Sequence, residues 1–168
     1  MVTFIEKAQV EEVVGTKIKN LGLYQKAFTH KSALKEYEQL NESFETLEFI
    51  GDSVLGFVIT KYLFDRYENK QEGFLTKART KLVRGETLAK IALKLGLEQL
   101  VIMDEKGMRN GWNNNPKILE DVFDCFSFNF GVCLGGSLAG FLVICLDCIF
   151  GPRFQNWDLR TRPQGGNF

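Results

Sequence analysis

The segment "FETLEFIGDSVLG" (Phe44–Gly56) sets two glutamates and an aspartate inside an otherwise apolar run. A helix built that way has few means of burying itself, because desolvated carboxylates are costly and neighbouring ones repel. At about 100° per residue, with Glu48 at zero, Asp52 falls near 40° and Glu45 near 60°, so the acids form one narrow stripe. Leu47, Ile50, Val54, Phe57 and Val58 fill an arc from about 180° to 280°, the expected apolar face. Like charges at i, i+4 destabilise a helix by about a few tenths of a kcal/mol, and burial multiplies that cost. A divalent cation removes the conflict, since hard cations take carboxylate oxygens.

Two further positions on this helix carry information. Phe49 lies near 100°, beside the acids and off the apolar arc, so its ring either packs on another element of the same chain or enters a partner. Gly51 costs about 1 kcal/mol relative to alanine inside a helix, which predicts close approach by a neighbouring backbone. A second acidic pair stands in "PKILEDVFDCF": Asp121 and Asp124 are at i, i+3, and Lys117 lies four residues before Asp121 on that face. Ile118, Leu119, Val122, Phe123 and Phe126 around them predict a largely buried helix. Glu48 and Asp52 on one helix with Asp121 and Asp124 on another is the layout expected of a carboxylate-only magnesium site serving phosphoryl chemistry.

Helical periodicity runs through most of the chain and predicts helices near 8–14, 19–28, 43–66, 73–83, 86–95 and 116–130, with more helix after 137. Gly96 reads as a C-cap and Asn115–Pro116 as an N-cap and first-turn pair, while "MDEKGMRNGWNNNP" reads as a loop. The expected architecture is all-α, with one domain over residues 1–155 and a C-terminal tail over 156–168. Net charge is zero, so bulk charge argues for no partner, but the charges are segregated. Glu36, Glu38, Glu42, Glu45, Glu48 and Asp52 fall in a stretch with no base; Lys77, Arg79, Lys81, Arg84, Lys90 and Lys94 face one acid, Glu86. Such a pattern is either two solvated faces or a phosphate-binding surface beside an acidic metal pocket.

The N-terminal "MVTFIEKAQVEEVVG" lacks the apolar core of a signal peptide, so the protein is expected to be intracellular, in cytoplasm or nucleus. All four cysteines lie in the last third, where small buried thiols are the favoured reading and a zinc site at "CLDC" the alternative. From Cys125 to Leu146 no residue is charged, a length that can cross a bilayer; Ser127, Asn129, Ser137 and the Gly135–Gly136 break favour buried core helices and no membrane.

The stretch "ETLEFIGDSVL" closely resembles the signature of ribonuclease III, the double-stranded-RNA endonuclease family. "FTHKS", "EGFLTKARTKLV", "ETLAKIALKLGL" and "KILEDVFD" follow the family's order and spacing, so the resemblance covers most of the chain. It implies the ribonuclease III endonuclease-domain helical fold, a homodimer, magnesium (with manganese as a substitute) and duplex RNA as substrate. Glu48, Asp52, Asp121 and Asp124 match the family's metal-binding catalytic acids, and Glu45 and Glu72 match supporting acids near the cleft. Lys117 matches a lysine of part of the family that touches the phosphate or orients a carboxylate, and Phe49 the aromatic that enters the partner subunit. The basic run offers Lys77, Arg79, Lys81 and Arg84 for RNA contact. In such enzymes metal-activated water attacks the phosphodiester, leaving 5′-phosphate and 3′-hydroxyl ends with short 3′ overhangs. With water activated that way no histidine base is needed, so Thr29 and His30 are expected to be structural.

The chain departs from the family pattern in three places. Asp124 stands where glutamate is usual, drawing a ligand back by about 1 Å or making it reach through water. Phe128 replaces a small residue on the acids' face, and beyond Asp124 the similarity fades. "WDLRTRPQGGNF" is too short for the separate double-stranded-RNA-binding domain that many relatives carry. The competing expectation is a ribonuclease III-fold module that binds structured RNA and cuts it weakly or not at all; the four retained acids favour the enzyme.

Overall fold

The computed structural model describes residues 5–15 and 17–134. Their order is α1 (Lys7–Val14), α2 (Leu21–Phe28), α3 (Glu45–Arg66), α4 (Glu72–Leu82), α5 (Gly85–Lys94), α6 (Glu105–Arg109) and α7 (Pro116–Leu134). The architecture is all-α, as expected; among the described residues the one β feature is a lone parallel bridge between Thr29 and Ile102. The expected helix beyond 137, the "CLDC" pair and the 156–168 tail lie outside the described residues.

Helix α7 is the axis of the fold, packing against α3, α5 and α2. Its Leu119, Val122, Phe123 and Phe126 are fully buried, each contributing about 1.5–3 kcal/mol by leaving water. The Phe126 ring meets those of Tyr24 and Phe28, both at 6.2 Å between centroids. The start of α7 is set by Asn115, whose side-chain oxygen accepts from Lys117 N–H at 2.9 Å, and by Pro116, which supplies a helical φ in the first turn. Gly96 follows α5 in the left-handed conformation (φ 73°), accepting the role its position predicts. Among the described residues no helix is long and apolar enough to cross a membrane.

Two local expectations are corrected. "MDEKGMRNGWNNNP" is not one loop, for it contains α6 and a 3₁₀ turn over Trp112–Asn114. Asp104 caps α6 by accepting from Gly107 N–H at 3.0 Å, and Gly111 (φ 68°) turns the chain between the two. On α3 the buried stripe is Leu47, Gly51, Leu55, Ile59 and Leu63, spaced at i, i+4. Ile50 and Phe57, assigned to the apolar arc, are exposed. A stripe of that spacing rotates about 40° per step, so one fixed arc cannot describe a helix of 22 residues.

The "FTHKS" segment ties α2 to the start of α3 and to the turn before α6. Buried Thr29 donates its hydroxyl to the Gln25 carbonyl (2.7 Å), and its own carbonyl accepts from Phe44 N–H (2.9 Å), anchoring the entry to α3. Ser32 Oγ accepts from Asp104 N–H at 3.1 Å and lies 2.9 Å from His30 Nδ1. Burial lowers the pKa of His30, so the ring sits neutral in this staple.

Candidate active site

The acids of α3 and α7 meet because Gly51 has no side chain. A Cβ there would overlap the main-chain carbonyl of Asp124, so the two helices touch backbone to backbone at that point. The close approach predicted from Gly51 is what positions Asp124. One residue further on, Cys125 donates its thiol to the Phe44 carbonyl at 3.3 Å and ties α7 to the start of α3. Cys125 is buried, and burial raises its pKa, so it stays an inert thiol.

Between the helices lies a cleft of about 400 Å³ lined by Glu45, Glu48, Phe49, Asp52, Lys117, Glu120 and Asp124, among others. Asp124 forms its most enclosed part, only 4% exposed, and its Oδ1 has no hydrogen-bond partner. Burial first, then the charges of Asp52, Glu120, Asp121 and Glu48, push its pKa up to about 8. Glu48 is raised as well, by burial and then by the charge of Asp121 and a hydrogen bond shared with it. Lys117 opposes this: its Nζ lies 2.6 Å from Asp121 Oδ1, 3.5 Å from Glu120 Oε2 and 3.7 Å from Glu48 Oε1. That company raises the ammonium's pKa, so it remains charged.

These residues fit a hard divalent cation. All the acidic donors are carboxylate oxygens, one of them buried and orphaned, and an ammonium already stands among three of the others. Among the described residues no three acids close on one point as metal ligands do. Of the four acids expected to hold an ion, Glu48, Asp52 and Asp124 line the cleft, while Asp121 is not among its lining residues and is held by Lys117.

The other expected residues divide. Glu45 lines the cleft, held by Ser43 Oγ–H (2.5 Å) and Lys31 (3.5 Å). Glu72 does not line it; it lies in a separate cleft with Phe64, Thr76 and Arg79 and accepts from Thr76 Oγ–H at 2.6 Å. That placement depends on how α4 packs on α3, which spacing in the chain does not reveal. Phe49 is 82% exposed, so it does not pack against the described residues of its own chain. Phe128 is half-buried against the core. Lys77, Arg79, Lys81 and Arg84 are exposed; Arg84 pairs with Glu86 (3.3 Å), and Arg79 lines a cleft that also includes Asp52 and Phe57.

Glu120 was not anticipated. It sits between Lys117 and Asp124 on the same turn-to-turn face and lines the cleft. Its signal was present: four residues before Asp124 and three after Lys117, it shares a helical face with both.

Comparison with known proteins agrees with this geometry. The ribonuclease III domain model matches residues 45–127. Protein A464R of Paramecium bursaria Chlorella virus 1 is 48% identical over 118 residues, 70% of this chain and 42% of that protein. Ribonuclease 3 of Francisella philomiragia is 39% identical over 119 residues, 71% of this chain and 48% of that enzyme. The chain thus spans about half the length of the curated relatives it matches. The nuclease domain of ribonuclease III from Campylobacter jejuni superposes with a TM-score of 0.75 at 31% identity, covering 86% of this chain and 99% of that domain. That domain is described as flexible in a region involved in dimer formation. The fold, the shared sequence and the near-complete coverage of that domain lead to one assignment: the chain belongs to the ribonuclease III family.

Proposed function

We propose that the protein is a homodimeric, magnesium-dependent endoribonuclease that cuts double-stranded RNA. The observation that carries this reading is the convergence of acids from α3 and α7 on one cleft, with a buried, unpartnered Asp124 oxygen inside it. Carboxylates arranged so, without a cation, are a standing electrostatic cost; with one, they become an anchor for a phosphodiester. Magnesium, or manganese in its place, supplies charge on the phosphate oxygens and a water of lowered pKa. Glu48, Asp52, Asp121 and Asp124 would bind the ion, and Lys117 offers a positive charge at the exposed side of the cleft. Arg79, whose cleft shares Asp52, leads from the acids toward the exposed bases of α4 and is suited to the RNA backbone. Hydrolysis at such a site leaves a 5′-phosphate and a 3′-hydroxyl, with short 3′ overhangs where two protomers cut opposite strands.

The test is incubation of labelled duplex RNA with purified protein and magnesium, with and without chelator, beside Asp52→Asn. The proposal expects cutting that needs the metal and is lost in the variant. Binding without cutting by the unaltered protein would assign it instead to the non-cleaving RNA-binding alternative.

A further inference from the structure

Lys117 and the divalent cation proposed above compete for the same oxygens. The ammonium now holds Asp121 at 2.6 Å and reaches Glu48 at 3.7 Å, two of the acids assigned to the metal. Two cations cannot share those oxygens without strong repulsion, so Lys117 must yield them when an ion enters. Its third partner is Glu120, at 3.5 Å; Glu120 lines the cleft but is the one acid of the three not assigned to the metal above.

Glu120 is also seated. Its carboxylate lies against Gly85, the first residue of α5, where a Cβ would come within 2.5 Å of Oε2 and 2.7 Å of Cδ. Any larger residue at position 85 would push the carboxylate out of that notch. The Glu120 side chain is only 27% exposed, against 64% for Lys117. An exposed i, i+3 pair contributes little, but a half-buried carboxylate lying against a neighbouring helix loses less freedom when it takes a cation.

We propose that Glu120 is a positioning residue for Lys117: it retains the ammonium at the mouth of the acid cleft once a divalent cation has taken Glu48 and Asp121. This rests on the cation reading of the cleft. It gives the turn Lys117–Asp121 two charge arrangements. In one, Lys117 neutralises the metal acids; in the other, it pairs with Glu120 and keeps its charge where a phosphate would approach.

The experiment is calorimetric titration of manganese into four full-length proteins: the unaltered chain, Glu120→Gln, Lys117→Met and the double variant. Lys117→Met should bind about fivefold or more tightly, because the competitor is gone. Glu120→Gln should bind about tenfold more weakly, because Lys117 loses the acid that draws it off the metal oxygens. Adding Glu120→Gln to Lys117→Met should then cost about twofold or less, the mark of an effect that acts through the lysine. An equal loss in both backgrounds would overturn the proposal and make Glu120 a direct contributor to the ion. Unchanged affinity in Glu120→Gln would overturn it too, and a lowered metal-free melting temperature alongside would identify Glu120 as a brace of α5. Failure of the unaltered protein to bind manganese would instead remove the cation reading on which the proposal stands.

Discussion

At the scale of single residues, the behaviour of Asp124 follows from where its carboxyl is held. Its pKa is about 8 in the fold against an ordinary 3.8, so without metal the folded chain binds a proton there that the unfolded chain has released. Its contribution to stability is therefore full below about pH 4 and is lost as pH rises through about 8. Replacing it with asparagine, which does not titrate, should give a melting temperature that gains on the unaltered protein between pH 5 and about 8 in the presence of chelator. Magnesium should cancel that gain by binding the ionised carboxylate. A melting-temperature difference that stays flat with pH would contradict the burial described for this group. Asp124→Glu tests side-chain length at the same place: a faster cleavage rate would mean that the shorter carboxylate limits the reaction. His30 shows the opposite use of burial. Its lowered pKa keeps it neutral in a staple to Ser32, and it does not line the cleft.

At the scale of helices, the site depends on how closely α3 and α7 approach. Gly51→Ala should push the two backbones apart at Asp124, since the added methyl overlaps a carbonyl that cannot swing aside. Overpacking of this kind costs about 1–3 kcal/mol, which thermal unfolding would register, and the variant should also lose metal-dependent cleavage. An alanine variant as stable and active as the parent would show that the contact does not position the acids. This approach was legible in the chain because a glycine in the middle of a long apolar helix needs a reason. The helices themselves were legible from their period and their caps, with ends within about two residues except at α7, which runs on to Leu134 rather than ending near 130. α6 was not, because a helix of five residues is shorter than two turns and leaves no period to read. Ile50 and Phe57 were misplaced because a fixed helical wheel ignores the slow rotation of an i, i+4 stripe. Glu72 lies in a different cleft of its own chain and Glu120 went unread, for a common reason. Which acids share a cleft is decided by contacts between helices, with Gly85 of α5 making room for Glu120 and α4 carrying Glu72 elsewhere.

At the scale of the whole molecule, α3 presents Phe49, Phe57 and Phe64 to solvent, 82%, 69% and 67% exposed. The three lie within about 80° of one another around the helix, forming an apolar face that no described element covers. A second copy of the chain is the partner the homodimer proposal requires, and Phe49 borders the acid cleft itself. Phe49→Ala should therefore move the protein toward monomer in sedimentation experiments and reduce cleavage with it; an unchanged mass would remove Phe49 from the interface. In the proposed dimer, two clefts in one particle would account for cutting both strands of a duplex, each with the exposed bases of its own α4 available to the RNA backbone. A cation gathered by two helices is what makes the cleft a catalytic site, and manganese in a crystal of the protein locates that cation directly. Anomalous scattering should place it in the cleft, about 2.0–2.2 Å from carboxylate oxygens of both α3 and α7. Crystals soaked at a manganese concentration that supports cleavage, yet showing no anomalous peak between Glu48, Asp52, Asp121 and Asp124, would contradict it.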